Sequence, residues 1–342
     1  MINLFGLSKA DIQKIANENN WPSYRAAQIF EWVYKGIDTI DEMSNLPSLI
    51  REELKNKYYI YHMQIIKKLR ENKTDTVKYL LKTEDNLQIE AVLMNYKHGI
   101  SVCISTQAGC GMACAFCASA KDGMIRNLTA GEMLSQIYAI QKDTNTRVDN
   151  IVMMGSGEPL ANFENTMAFL NLVSDRDTLN ISKRSITLST CGLSDKIYAL
   201  ADSGAGINLS VSLHNPIQSQ REKIMPVAKK YSIDELIKAC SYYIDKTKRR
   251  VTFEYALIEG QNDTSYHAEQ LVRKLKTLNC LVNLIPVNEV EGKEIKKSSE
   301  NNIKNFYDIL TKNNINTTIR RTLGSSINAA CGQLRAGIYK EG

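Results

Sequence analysis

From about residue 100 onward, short apolar runs alternate with stretches whose hydrophobic positions recur every three or four residues. Runs at 101–105, 150–155, 185–190, 207–213, 250–258 and 281–287 read as strands. Helical patterns follow from 129, from 162, near 194, from 232, over 264–278 and over 299–312. Thr129-Ala-Gly-Glu132 and Ser232-Ile-Asp-Glu235 are capping boxes, which sharpen two of the helix starts. Strand–helix repeats of this kind predict a parallel sheet, either doubly wound or curled into a barrel. In such sheets the chemistry gathers at the C-terminal strand ends. Upstream the pattern differs. Ser8 reads as an N-cap before Ile12, Ile15 and Ala16, residues 24–34 repeat helical spacing through Ala27, Ile29, Phe30 and Val33, and 47–54 give a third helix. Residues 60–96 alternate in β fashion, with a turn at Asp85-Asn86. The expected division is therefore an N-terminal accessory unit over 1–98, short helices plus a β-extension, and a strand–helix unit over 99–342.

With 342 residues and 43% hydrophobic content, the chain can bury a large core. No apolar run reaches the roughly 18 residues of a membrane span, and the N-terminus lacks the basic and long apolar segments of a signal peptide. The eight cysteines are irregularly spaced, unlike a secreted disulfide framework, so a reducing cytoplasm is expected. The net charge of +6 is gathered in residues 51–78, Lys183-Arg184, Lys229-Lys230, 246–250 and Arg320-Arg321. Such clusters suit a polyanion, although any one of them also serves solubility.

The chemistry is concentrated in one loop after the first of these strands. Cys110, Cys114 and Cys117 stand at the spacing C-x3-C-x2-C. Three thiolates can hold a cubane iron–sulfur cluster and leave one iron open to a small molecule, whereas electron-transfer clusters normally take four cysteines. Zinc is the competing reading, but structural zinc sites are closed by four ligands, and no second cysteine pair or nearby downstream histidine supplies the fourth. Phe116 would shield a cluster from water or simply pack. The next strand ends in Gly155-Ser-Gly-Glu-Pro159, whose glycines admit a ligand close to the backbone and whose Glu158 could pair with an ammonium group. Ser189-Thr190, Ser212-Leu-His214 and Asn288 put small polar groups at the other strand ends. Singly, each is explained by an ordinary loop hydrogen bond. Together, around an open iron, they favour a cofactor bearing amine, carboxylate and ribose groups, as S-adenosylmethionine (SAM) does.

At these residues the chain resembles the radical SAM superfamily and, within it, the RlmN/Cfr family of RNA adenine methyltransferases. The resemblance covers nearly the whole chain. It rests on Gln88-Ile-Glu-Ala-Val, the run from Val102 through Cys110, the cysteine loop, Gly155-Ser-Gly-Glu-Pro-Leu160, Ser212-Leu-His214 and Ala330-Cys-Gly-Gln-Leu334. It implies a partial (β/α)6 radical SAM barrel with a small N-terminal helical domain and β-extension. It further implies one [4Fe-4S] cluster on Cys110, Cys114 and Cys117, with SAM contacts at Gly157, Glu158, Ser189, Ser212, Leu213, His214 and Asn288. C2 of adenine is electron-poor and carries no acidic proton, so polar methylation has nothing to work with. In the family's radical route Cys331 takes a methyl from one SAM, and a second SAM on the open iron yields a 5′-deoxyadenosyl radical that removes hydrogen from that methyl. The methylene radical adds to the ring, Glu90 takes the ring proton, and Cys103 attacks the Cys331 sulfur. This releases the base and leaves a Cys103–Cys331 disulfide to be reduced.

The implied partners are 23S rRNA at its peptidyl-transferase centre, a tRNA anticodon-loop adenine as a second target, and an electron donor such as flavodoxin or ferredoxin. No membrane partner is expected, and the chain is expected to be a monomer. Residues 1–98 are the expected RNA-docking region, whose deletion should abolish RNA methylation while sparing the cluster. Without the resemblance, Glu90 would read as a solvated charge and Cys103 and Cys331 as small buried hydrophobes, the category in which Cys191, Cys240 and Cys280 remain. Ser156 and Asn328 depart from the residues usual in the family. The rival within the same chemistry is a Cfr-like C8 methyltransferase conferring antibiotic resistance, which Pro159 disfavours. From another class, the rival is a non-catalytic RNA-binding protein with a structural metal.

Overall fold

The computed structural model describes residues 1–97, 99–121, 123–288, 295–321 and 323–334. The expected boundary at residue 98 and everything beyond Leu334 lie outside them. The chain opens with β1 (Ile2–Asn3), α1 (Lys9–Glu18), α2 (Ser23–Tyr34) and α3 (Ser48–Lys57), then β2 (Tyr58–Tyr59). Next come β3 (Gln64–Glu71), β4 (Thr76–Lys82), β5 (Gln88–Tyr96), β6 (Gly99–Cys103), β7 (Gln107–Gly109) and β8 (Met124–Asn127). The alternating part continues with α4 (Ala130–Thr144), β9 (Asn150–Met153), α5 (Phe163–Ser174), β10 (Ile186–Thr190), α6 (Ser194–Asp202) and β11 (Asn208–Ser212). It ends with α7 (Gln218–Ile224), α8 (Ile233–Thr247), β12 (Val251–Leu257), α9 (Ser265–Leu275), β13 (Cys280–Pro286), α10 (Glu300–Lys312) and β14 (Asn316–Ile319).

Ten strands form one open sheet in the order β14-β13-β12-β11-β10-β9-β6-β5-β4-β3. Pairing is parallel from β6 to β14 and antiparallel from β3 to β6. This is the mostly parallel α/β fold expected from the alternation. The central strands are apolar because helices cover them: Leu188, Val211, Phe253, Val282 and Leu284 have no exposed surface. Thr129 and Ser232 cap α4 and α8 in the expected boxes, each side chain accepting the N–H of its glutamate three residues on.

Three features lie outside the sequence pattern. The β7–β8 hairpin is paired by its backbone, with strands too short to show a period. β14 has only four residues, three of them exposed. α7 is a seven-residue helix ended at Met225-Pro226, where proline cannot continue the hydrogen-bond ladder. The antiparallel strands also change the deletion expected to be clean. β5 pairs with β6 from Val92↔Cys103 to Tyr96↔Gly99, so cutting at residue 98 would strip three strands from the sheet and remove Glu90.

Candidate active site

The hairpin builds the cysteine loop. The Cys110 N–H donates to the Gly123 carbonyl at 2.9 Å. Gly109 has φ of +77°, and a Cβ there would collide with that same carbonyl, so this approach requires glycine. Two other segments pin the loop. The Ala115 N–H donates to the Ile224 carbonyl of α7 at 2.9 Å, and the Ala118 N–H to the Gly332 carbonyl of the C-terminal segment at 2.7 Å. Phe116 meets the His214 ring edge-on, with centroids 4.6 Å apart.

One cavity collects Cys110, Cys114, Cys117, Gly157, Glu158, Ser189, Ser212, His214, Asn288 and Cys331. Burial pushes the Cys110 thiol up to about 11, and burial together with the neighbouring Cys117 and Cys110 thiols raises Cys114 further. Crowded thiols of this kind become stable thiolates when iron neutralises them. Among the described residues, no three His, Cys, Asp or Glu side chains converge on one point as a single zinc ion would require. A donor set spread around a cavity suits a polynuclear cluster, so the residues present fit the implied group.

The strand-end residues are fixed with some precision. Gly157 has φ of +108°, and a Cβ there would fall 2.6 Å from the Gln107 Cβ. Glu158 is 3% exposed, and burial raises its pKa. Its carboxylate accepts the Leu160 N–H at 3.0 Å and the Cys191 N–H at 2.7 Å. It thereby braces these two loops. Ser156 is buried with its hydroxyl unpartnered, a physical reason for an apolar residue to be common there.

His214 has φ of +55° and is 4% exposed. Its Nδ1 accepts the Ala256 N–H at 2.9 Å, which places the ring proton on Nε2. Burial, aided by the Arg221 charge, lowers its pKa to about 3, against about 6.5 when unfolded. The contribution of the neutral ring is therefore full above pH 6.5 and is lost as the pH falls toward 3. Between pH 6 and 4 the stability advantage of wild type over His214→Asn should shrink by about 1 kcal/mol per pH unit. A difference independent of pH, measured by urea unfolding, would contradict this protonation state.

Leu213, Cys103 and Glu90 do not line the cavity. Leu213 is wholly buried in the main core, because backbone alternation sends it away from the face shown by Ser212 and His214. Cys103 packs with Val92, Met94, Ala329 and Leu334 just behind Cys331. Burial and the Cys331 thiol push its pKa up to about 12, opposed by Arg320. Glu90 is 2% exposed, not a solvated charge. It stands two residues before Val92, the cross-strand partner of Cys103, and so shares that face of the sheet. Lys78 Nζ lies 3.0 Å from its Oε1 and donates to the Asn328 carbonyl at 3.2 Å. Asn288 Nδ2 donates to the Cys331 carbonyl at 3.2 Å.

Several functional positions were not read from the sequence. Cys191, Met112, Met153, Met154 and Met225 line the cavity without any motif to mark them. Arg320, taken with Arg321 as surface charge, is half-buried instead. Its Nη1 is 4.0 Å from Glu254 Oε2, and Ser210 and Asn283 hold that carboxylate at 2.7 and 2.8 Å. The Cys331 thiol, then Glu254, Tyr96 and Cys103, reinforce the Arg320 charge. A smaller adjoining pocket shares Asn288, Arg320 and Cys331 and adds Met94, Tyr96 and Arg321. Cys331 thus stands at the junction of two cavities. Cys103, Cys110, Cys191, Cys240, Cys280 and Cys331 are free thiols.

Residues 104–275 match the model of the radical SAM superfamily, and residues 2–60 match that of the ribosomal RNA large subunit methyltransferase N-terminal domain. The chain is 50% identical to a probable dual-specificity RNA methyltransferase RlmN of Clostridium tetani, over 99% of this chain and 97% of that one. It is 51% identical to the protein of the same description from Alkaliphilus oremlandii, over 98% and 97%. The crystal structure of a radical SAM methyltransferase from Sphaerobacter thermophilus superposes with a TM-score of 0.91 at 39% identity, covering 97% of this chain and 99% of that one.

Proposed function

The chain belongs to the RlmN family of radical SAM RNA methyltransferases, and from that premise we propose that it methylates C2 of an adenine in 23S rRNA and of a tRNA anticodon-loop adenine. The observation that carries the reading is the position of Cys331 between the cysteine-lined cavity and the adjoining pocket. A residue that takes a methyl from a cofactor and hands it to a base must reach both. Cys110, Cys114 and Cys117 would hold a [4Fe-4S] cluster, which would supply the one electron that cleaves SAM to a 5′-deoxyadenosyl radical and methionine. Gly157, Ser189, Ser212, His214 and Asn288 line the space SAM would fill, with His214 offering its Nε2–H as a donor.

Cys331 attacks the methyl of a first SAM, and S-adenosylhomocysteine leaves. Arg320 lines the same two cavities as that sulfur. The methyl on sulfur then gives up a hydrogen, and the carbon radical adds to C2 of a base seated in the adjoining pocket, where Tyr96 and Arg321 offer an aromatic face and a cation. The adduct radical would return one electron to the oxidised cluster as Glu90, with Lys78 Nζ 3.0 Å from its Oε1, takes the ring proton. Cys103 closes the cycle by losing its proton to water and attacking the Cys331 sulfur: an S–S bond forms, the bond to carbon breaks, and the released carbon takes a proton from water to complete the methyl. A reductant of the thioredoxin class reopens the disulfide. This redox demand favours the cytoplasm and a flavodoxin- or ferredoxin-type donor, and the enzyme is taken to act as a monomer. Among the described residues no helix is long and apolar enough to cross a membrane.

The test is anaerobic reconstitution with iron and sulfide, incubation with SAM and precursor 23S rRNA, and mass spectrometry of the adenosines. The expected product is 2-methyladenosine; 8-methyladenosine would transfer the chain to the rival chemistry. RNA docking is assigned to the exposed, lysine-bearing β3–β4 hairpin. Several basic groups there are already paired, Lys68 with Asp143 and Arg70 with Asp75, so the test falls on exposed Lys67 and Lys73. Reversing both to glutamate should weaken RNA binding and flatten its salt dependence by about one unit of slope per lost phosphate contact. Unchanged affinity with full cluster content would remove this assignment.

A further inference from the structure

Arg221, on α7, is the largest side chain with no exposed surface among the described residues. Its Nε donates to the Leu213 carbonyl at 3.0 Å, and its Nη2 to the carbonyls of Cys191 at 2.8 Å and Ser212 at 3.2 Å. Its Nη1 has no hydrogen-bond partner. Burial works against its charge, and the groups that favour that charge are all thiols, namely Cys191, Cys114 and Cys240. No carboxylate pairs with it among the described residues.

An arginine does not lose its proton inside a protein. Backbone carbonyls orient the guanidinium but contribute no net charge, and a buried cation without a counter-ion is strongly unfavourable. The fold nonetheless places this one under the cysteine loop. The next turn of the same helix reaches that loop directly, through the Ile224 carbonyl that accepts the Ala115 N–H. Three thiolates around an iron–sulfur core carry net negative charge, and accepting an electron makes it larger. Charge near a cluster is one of the levers that set its potential.

We propose that Arg221 is the counter-cation of the cluster, a positioning residue that raises the cluster's reduction potential and so favours entry of the electron that cleaves SAM. The proposal rests on the reading that Cys110, Cys114 and Cys117 hold the cluster. The step moves one electron from an external donor to the cluster, oxidising the donor, and makes or breaks no bond to Arg221. The same guanidinium ties the ends of β10 and β11 together at the cavity mouth.

The experiment is a redox titration of the reconstituted full-length protein, with dithionite as reductant and the reduced cluster followed by electron paramagnetic resonance. Arg221→Met removes the charge and Arg221→Lys keeps it. At the wild-type midpoint, the ratio of reduced to oxidised cluster in R221M should be tenfold lower, a downward shift of about 59 mV for a one-electron couple. R221K should titrate close to wild type. Should R221M fail to fold, Arg221→Gln, whose amide still donates to a carbonyl, carries the same comparison. Neutral variants titrating with wild type, or R221K shifting as far as the neutral variant, would overturn the proposal. Wild-type protein that takes up no iron and sulfide would instead overturn the cluster reading beneath it.

Discussion

Replacing Cys103 with alanine is expected to turn the enzyme into a trap: RNA enters, becomes joined to Cys331 and is not released. The argument is one of position. Cys103 lies behind Cys331 in a small apolar cluster with Val92, Met94, Ala329 and Leu334, and its charge environment includes both Cys331 and Arg320. Its thiol, pushed up to about 12, stays protonated until the adduct forms. Only then does it lose its proton and become the nucleophile. Removing one sulfur from this cluster should cost about 1 kcal/mol of stability, so the effect is chemical. Denaturing gels with labelled RNA should show a protein–RNA band from Cys103→Ala and none from Cys331→Ala, which never acquires the methyl. Free methylated RNA at normal yield from Cys103→Ala would refute the role of Cys103.

The second large effect concerns stability. Lys78 and Glu90 are paired at 3.0 Å with side chains only 11% and 3% exposed, and Lys78 also holds the Asn328 carbonyl that leads into the Cys331 segment. Removing one partner of a buried pair costs about 3–5 kcal/mol. Lys78→Met should therefore unfold the protein at markedly lower denaturant concentration. Adding Glu90→Gln should recover much of that loss while leaving RNA methylation impaired, because the proton acceptor is gone. A double-mutant cycle in urea gives the coupling. Near-zero coupling would mean that the pair is solvated and that the C-terminal segment is anchored by other contacts.

Much of this organisation is readable in the chain itself. The strand–helix alternation from residue 100 and the two capping boxes specify the sheet, because burial on both faces leaves a continuous apolar run in each strand. The cysteine spacing is equally legible, since Cys110, Cys114 and Cys117 stand close together within one loop. Arg320, Arg221 and Lys78 were not. A charged side chain carries no periodic signal of its burial, and each becomes informative only when a thiol or carboxylate distant in sequence is folded against it. The bracing by Glu158 was not legible, because the N–H groups it accepts come from Leu160 and, across the sheet, from Cys191. The seven-residue α7 escaped notice because so short a helix shows barely two turns of any pattern.

The central claim is that the methyl group passes through Cys331 as a carbon radical. SAM carrying a fully deuterated methyl tests this directly, read by mass spectrometry of both products after a turnover in unlabelled water. The account predicts methyladenosine with two deuterium atoms on its new carbon and 5′-deoxyadenosine with one. Methyladenosine retaining all three, with unlabelled 5′-deoxyadenosine, would mean that the methyl moved intact and would contradict it.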